Sequence, residues 1–289
     1  MKQLLIRKIR SFEECEAFIR RIQRDATFSD PMLSNEEQVK NNLLKAIKKP
    51  ESHCVLGVFR DGDMVGLFSF LALEEEQYLE MLVGLSYDQD AYDAVFAYLQ
   101  RHYPSYDADF VFNPKNDLLK DILKGRHANF ETEQQKMVPA EPAANIDTTG
   151  IELLSDEYKP QYFAMHNTDM YWTGEKVAAA ADKFRTLLAI ENGIVAGYID
   201  VTHCFEENEP YDLLVKEEYR RKGYGRKLLA KAIEMNKPNG MMLLVNVDNV
   251  PAICLYESLG FQKAEDQNSL TVHWKIGTQT VLEKENNNE

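Results

Sequence analysis

The stretch from Tyr211 to Ile233 constrains this chain most. An apolar run, Tyr211-Asp212-Leu213-Leu214-Val215, precedes Arg220-Arg221-Lys222-Gly223-Tyr224-Gly225. Leu228, Leu229, Ala232 and Ile233 follow at spacings that fit one helix face. The pattern predicts a strand, a glycine-bearing turn and a helix beginning near Gly225. Such a turn exposes the free N–H groups of a helix start, which carry partial positive charge. Gly223 and Gly225 lack a Cβ, so a ligand can approach the backbone. The turn also gathers Arg220, Arg221, Lys222, Arg226 and Lys227 in a chain of net charge −14. Cations there oppose the helix dipole, and a bound phosphate would remove the conflict. A solvated basic turn fits the same residues. Gly-Lys-Ser/Thr is absent, and Leu228 replaces the third glycine of a dinucleotide fingerprint, so those two phosphate loops fit worse.

Next comes Met241-Met242-Leu243-Leu244-Val245, a short apolar run that reads as a buried strand. Asp248 or Asn249 can cap the following helix, with Pro251 in its first turn. Ala252, Leu255, Tyr256 and Leu259 share one face, Gly260 suits the left-handed residue after the helix, and Phe261 opens another strand. Arg-x-x-Gly-x-Gly followed by Asn-x-x-Ala-x-x-Leu-Tyr-x-x-x-Gly-Phe resembles the GCN5-related N-acetyltransferase (GNAT) superfamily over roughly residues 151–277.

The resemblance implies acetyl-CoA as donor and an amine as acceptor; the scatter of cysteines and histidines separately leaves no metal expected. It assigns Leu213, Leu214 and Val215 to backbone pairing with the pantetheine arm. Arg220, Arg221, Lys222, Gly223, Tyr224, Gly225 and Arg226 would wrap the pyrophosphate, and Asn249 would bond the pantetheine region. Tyr256 would point at the coenzyme sulfur and protonate the departing thiolate. A core tyrosine fits that position too. The amine must also lose a proton. Glu209 matches the family's carboxylate early on the strand before the loop, and Asp212 is the alternative. Simple alternation puts them on opposite faces, and a bulge, common in this strand of the family, would change that. Both also read as surface acids. Direct attack is expected, since Cys254 sits off the Ala252–Tyr256 face. The alternative is an acyl-CoA-binding regulatory module without turnover.

The two halves look like a repeat. Val58-Phe59-Arg60-Asp61-Gly62-Asp63-Met64-Val65-Gly66 resembles Ala189-Ile190-Glu191-Asn192-Gly193-Ile194-Val195-Ala196-Gly197. Asn116…Leu119…Ile122-Leu123…Asn129-Phe130 parallels Asn249…Ala252…Leu255-Tyr256…Gly260-Phe261. The first half thus resembles a second, diverged GNAT domain. It departs at Ser86-Tyr87-Asp88-Gln89-Asp90, where acids replace bases, and at Leu123, which stands in the tyrosine's place. It reads as a structural or substrate-shaping partner without acyl-CoA; coenzyme binding through an unfamiliar loop is the alternative. The expected fold is α/β (α+β): two GNAT-like domains, each a mixed, mostly antiparallel twisted sheet flanked by helices. The expected boundaries are 1–137, a Pro/Ala-rich linker at 138–149, 150–277, and a polar tail at 278–289. In the first half, strands are expected near 2–9, 53–60, 63–74, 78–85, 108–113 and 128–137, with helices near 12–26, 35–48, 89–102 and 116–125. The second half repeats that order, with a helix at 174–185 and last strands near 261–265 and 269–276.

Cys15, Cys54, Cys204 and Cys254 are scattered and form neither zinc spacing nor a disulfide framework, and the histidines show no paired ligand pattern. The charge argues against nonspecific nucleic-acid binding and suits a cationic amine. No apolar run approaches membrane-spanning length, and the charged N-terminus does not read as a signal peptide, so a cytoplasmic protein is expected. The sequence does not set the oligomeric state.

Overall fold

The structure is a computed structural model that describes residues 4–28, 36–140, 146–166, 168 and 171–277. The chain divides into two compact units. One takes residues up to Gln134 together with those from Glu265 on, and the other is Gln135–Ala264. Both are mixed α/β, with mostly antiparallel sheets flanked by helices.

In the first unit the elements are β1 (Leu4–Lys8), α1 (Glu16–Ile22), α2 (Glu36–Lys48), β2 (His53–Arg60), β3 (Asp63–Leu73) and β4 (Tyr78–Leu85). They continue with α3 (Gln89–His102), β5 (Asp107–Phe112), α4 (Asp117–Gly125) and β6 (Asn129–Phe130). The second unit contains β7 (Gln134–Pro139), β8 (Ile151–Leu153), α5 (Lys159–Met165), α6 (Gly174–Ala179), β9 (Phe184–Glu191) and β10 (Ile194–Thr202). Then come β11 (Glu207–Asn208), β12 (Pro210–Val215), α7 (Tyr224–Asn236), β13 (Gly240–Met241), β14 (Leu243–Asn246), α8 (Val250–Glu257) and β15 (Phe261–Lys263). The last strand, β16 (Leu270–Lys275), returns to the first unit.

Local chemistry explains most of these boundaries. Asp61-Gly62 and Asn192-Gly193 have positive φ at both residues (53° and 94°, 51° and 78°). That is what a two-residue hairpin turn of the right twist needs, and it joins β2 to β3 and β9 to β10. Asp88 caps α3 by accepting from the Ala91 N–H, Asn116 caps α4 through Leu119, and Asn249 caps α8 through Ala252. The alternating strand β4 buries Leu79, Met81, Val83 and Leu85, and α3 packs Tyr92, Val95, Phe96 and Leu99 inward. In the second unit Leu187, Ile199, Leu228, Leu229, Leu243 and Phe261 share one core.

Three expectations change. The helix expected over 174–185 ends at Ala179, although alanines continue to Ala181. Phe184 pairs with Thr202 in the β9–β10 ladder, so tertiary pairing overrides helix propensity there. The strand expected over 128–137 splits into β6 and β7, with only β6 in the first unit's sheet. The strand expected at 269–276 as the end of the second half lies instead between β5 and β6, in the order β1-β2-β3-β4-β5-β16-β6. The two halves of the sequence therefore exchange strands. β7 is the middle strand of β14-β7-β15, and the expected linker begins inside it. Residues 141–145 of that linker, and the tail expected over 278–289, lie outside the described residues. No helix among the described residues is long and apolar enough to cross a membrane.

Candidate active site

The site begins where two parallel strands separate. Glu207 and Asn208 of β11 pair with Gly240 and Met241 of β13, and the Met242 N–H donates to the Asn208 carbonyl at 2.9 Å. Past that point β12 turns to β10 while β14 turns to β7. One side of β12 is thus a sheet edge in the order β12-β10-β9-β8. An edge of unpaired backbone groups can accept an extended ligand as an added strand. Gly197 permits the tight β10–β12 approach, since a Cβ there would lie 2.7 Å from the Leu214 carbonyl oxygen.

At the mouth of this wedge β12 carries a bulge. Asp200 pairs with Asp212 and Val201 with Pro210, so Tyr211 is the extra residue. The Glu209 carbonyl accepts from the Thr202 N–H at 2.9 Å. Thr202 and Asp200 are two apart on β10, so Glu209 and Asp212 share a face, against simple alternation. Their surroundings differ. Burial raises the Glu209 carboxyl above its ordinary range, and Lys183 and Lys136 partly offset this. Asp212 instead accepts from the Tyr198 hydroxyl at 2.6 Å.

Leu213 and Val215 pack toward α7, and Leu214 toward the opposite face beside Tyr162 and Tyr198. The strand runs into a turn with two left-handed residues, Arg221 (φ 63°) and Gly223 (φ 87°). An arginine held there costs about 1–3 kcal/mol, a strain typical of ligand-binding turns. Gly223 is the N-cap of α7 and gives it no side-chain cap. A Cβ on Gly225 would meet only Leu255 at 3.5 Å and Val215 at 3.8 Å, both ordinary contacts. Packing alone therefore does not require glycine at 225.

Several bases that the sequence crowds at this turn brace it. Arg220 donates to the Val215 carbonyl at 3.1 Å, and Arg226 to the Ser258 carbonyl beyond α8 at 3.1 Å. Lys222 lies 3.7 Å from Glu191 and over the Tyr219 ring. Tyr219 and Tyr224 meet edge to face.

Asn249, expected to face the pantetheine region, caps α8. Tyr256 lies on that helix, half-buried and packed against Phe261. Burial raises its hydroxyl above the ordinary phenol range, and the charge of Asp212 adds to the rise. Asp212 is thus the candidate acid whose charge reaches Tyr256. Cys254 is exposed, off the buried face as expected.

A buried network that the sequence reading missed supports Asp212. Asp200 is fully buried and accepts from the Tyr162 hydroxyl at 3.0 and 2.9 Å, the Thr186 hydroxyl at 2.5 Å and His166 Nε2 at 3.0 Å. The signal available was one acid inside the apolar strand Val195–Val201. The fold also brings His166, Asp200 and Asp212 together, with ligand-type atoms within 4.8 Å of one another. The hydrogen bonds already formed by Asp200 account for its buried charge without an ion.

Residues 151–261 match the Acetyltransferase (GNAT) family. That match takes in most of the second unit and less than half of the chain. The [ribosomal protein bS18]-alanine N-acetyltransferase of Escherichia coli (strain K12) is 30% identical over 97 residues, covering 32% of this chain and 66% of that protein, just under two thirds of its length. Among solved structures, a GCN5-related N-acetyltransferase from Sphaerobacter thermophilus has a TM-score of 0.63 at 11% identity, over 95% of this chain and 96% of that one. A tandem GNAT protein from the clavulanic acid biosynthesis pathway has a TM-score of 0.57 at 12% identity, over 95% and 99%. At these identities the structures show a shared fold that extends across both units.

The first unit repeats the element order of the second and lacks the basic turn. Its β4 and β5 pair in parallel over Tyr78–Met81 and Asp107–Phe110 and then part. Where the second unit has its basic turn, Asp88 caps α3 and forms an ion pair with Arg60, which also reaches Asp90 at 2.9 Å. A carboxylate of the chain itself thus sits at this helix N-terminus. The cavity at the parting, lined by Phe28, Val39, Met81, Leu85 and Phe112, is about 40 Å³, room for a few waters.

Proposed function

We propose that the second unit is an N-acetyltransferase that moves an acetyl group from acetyl-CoA to a primary amine by direct attack. The observation that carries this is the open edge of β12 leading straight into the uncapped, doubly left-handed turn at α7. The residues fit the coenzyme. The backbone of Leu213, Leu214 and Val215 takes the pantetheine arm as an added strand, and the N–H groups from Arg221 to Arg226 take the pyrophosphate. Bound there, acetyl-CoA supplies the thioester. Asp212 takes one proton of the incoming ammonium, Tyr256 donates to the sulfur as the C–N bond forms and the C–S bond breaks, and the second proton, shed by the nitrogen as the amide forms, restores the Tyr256 hydroxyl. A cationic acceptor suits Asp212 and the net charge of −14. The small cavity and internal carboxylate of the first unit support a role without acyl-CoA.

Thiol release from acetyl-CoA, measured across a panel of primary amines, tests the activity. Asp212→Asn should lower turnover by roughly 10²–10⁴, the usual range for a positioned base. Glu209→Gln should cost far less, because the charge of Asp212, and not that of Glu209, reaches Tyr256. The reverse ranking would give the role to Glu209. Binding is tested at the turn. Gly225→Ala adds one methyl where the protein has room, and Gly223→Asp adds a charge against the pyrophosphate. Calorimetry should find acetyl-CoA affinity at least tenfold weaker in Gly223→Asp, about 1.4 kcal/mol, with one site per chain. Gly225→Ala should stay folded and also bind more weakly. Unchanged affinity in both removes the turn from the site.

A further inference from the structure

Asp200 and Asp212 stand directly opposite each other in the β10–β12 ladder. Like charges so placed destabilise a sheet, and a carboxylate out of water needs donors. Asp200 has them in Tyr162, Thr186 and His166, which suits a carboxylate that only accepts. His166 is held between the two acids. Its ring stacks on Tyr198 at 5.2 Å with an interplanar angle of 15°. Its Nε2 is 3.0 Å from Asp200 Oδ2 and 3.9 Å from Asp212 Oδ2. That same oxygen of Asp212 accepts from Tyr198, which leaves Oδ1 to receive the amine's proton.

We propose that His166 and Asp200 are positioning residues that set the basicity of Asp212 from behind. The proposal rests on Asp212 being the proton acceptor. A proton on His166 offsets the two facing carboxylates and holds Asp212 ionised. As Asp212 takes the amine's proton, its charge disappears, and His166 stays balanced by Asp200. Among the described residues, the other titratable groups facing this set include Tyr162 of α5, Tyr198 of β10, Tyr211 of β12 and Tyr256 of α8. Burial holds all four phenols above their ordinary range. Glu209, whose charge reaches the Tyr211 hydroxyl, is a further acid among the described residues. Between about pH 4 and 9 these phenols therefore stay neutral.

The test is the acidic limb of kcat/KM against pH, where activity rises as Asp212 ionises. His166→Gln removes the cation between two acids, so the limb should move up by about one pH unit. Asp200→Asn removes a facing negative charge, so the limb should move down by about as much. A role confined to packing lowers rates without such opposed displacements. Limbs that stay in place, or move the same way, overturn the proposal. The buried Asp200→Asn variant places an amide among three donors and is the one at risk of misfolding, so a second measurement uses native His166. Its imidazole titration, followed by NMR, should have a midpoint about one unit lower in Asp212→Asn than in the wild type. An unchanged midpoint overturns the proposal by itself. Full turnover in Asp212→Asn instead sinks the underlying reading of the base.

Discussion

A fragment that begins at residue 150 should fail to fold, and so should one that ends at residue 137, although each contains nearly a whole expected domain. The first loses β7, the middle strand of β14-β7-β15. With it go the ladder from Met137, Val138 and Pro139 to Lys263, Gln262 and Phe261, and the fully buried Met137. The flanking strands β14 and β15 run only Leu243–Asn246 and Phe261–Lys263, too short to stand without the strand between them. The second fragment loses β16 from between β5 and β6. That removes Leu270, Val272, Trp274 and Ile276 from the first core. Each such side chain stabilises by about 1.5–3 kcal/mol when buried, so their joint loss rivals the roughly 5–15 kcal/mol that holds a domain folded. Circular dichroism melts of both fragments check this. A cooperative transition in either one alone would mean that the exchanged strand is dispensable. Mixing the fragments would not rescue the pair, because neither contains residues 138–149.

What the sequence made legible, and what it hid, follows the range of the forces involved. The bounds of β2, β4 and α3 match their expected spans residue for residue, because apolar periodicity, the Asp61-Gly62 turn and the Asp88 cap are all local. The Asn249 cap, Gly260 with φ 85° and Phe261 opening β15 were legible for the same reason. Strand exchange was not. The apolar alternation of Leu270–Lys275 says which face is buried and is silent on which sheet buries it. The site divides the same way. The wedge strand, the turn and Tyr256 lie in motifs of consecutive residues. The relation of Glu209 to Asp212 depends on a bulge opposite Asp200 and Val201, which no spacing within β12 reveals. The Asp200 network draws on Tyr162, His166, Thr186, Tyr198 and Asp212, which meet only after α5, β9, β10 and β12 have packed.

Replacing Tyr256 with phenylalanine should lower turnover by roughly 10²–10⁴, the range for a positioned proton donor, and leave acetyl-CoA affinity nearly unchanged. The ring keeps its packing against Phe261 and its place in the second core, so the fold survives. Only the hydroxyl is lost. Its burial and the nearby charge of Asp212 both favour the protonated phenol, which is the form able to donate to a developing thiolate. That donation matters most as charge builds on sulfur, so the loss should fall on kcat more than on binding. The same variant separates an enzyme from a regulatory binder. A binder has no thiol release to lose, and Tyr256→Phe would then match the wild type in every measurement. The comparison needs thiol release with a competent amine beside the acetyl-CoA dissociation constant. Undiminished turnover would leave thiolate release to another donor. Weakened binding at unchanged kcat would make Tyr256 part of the wall of the wedge and take it out of the chemistry.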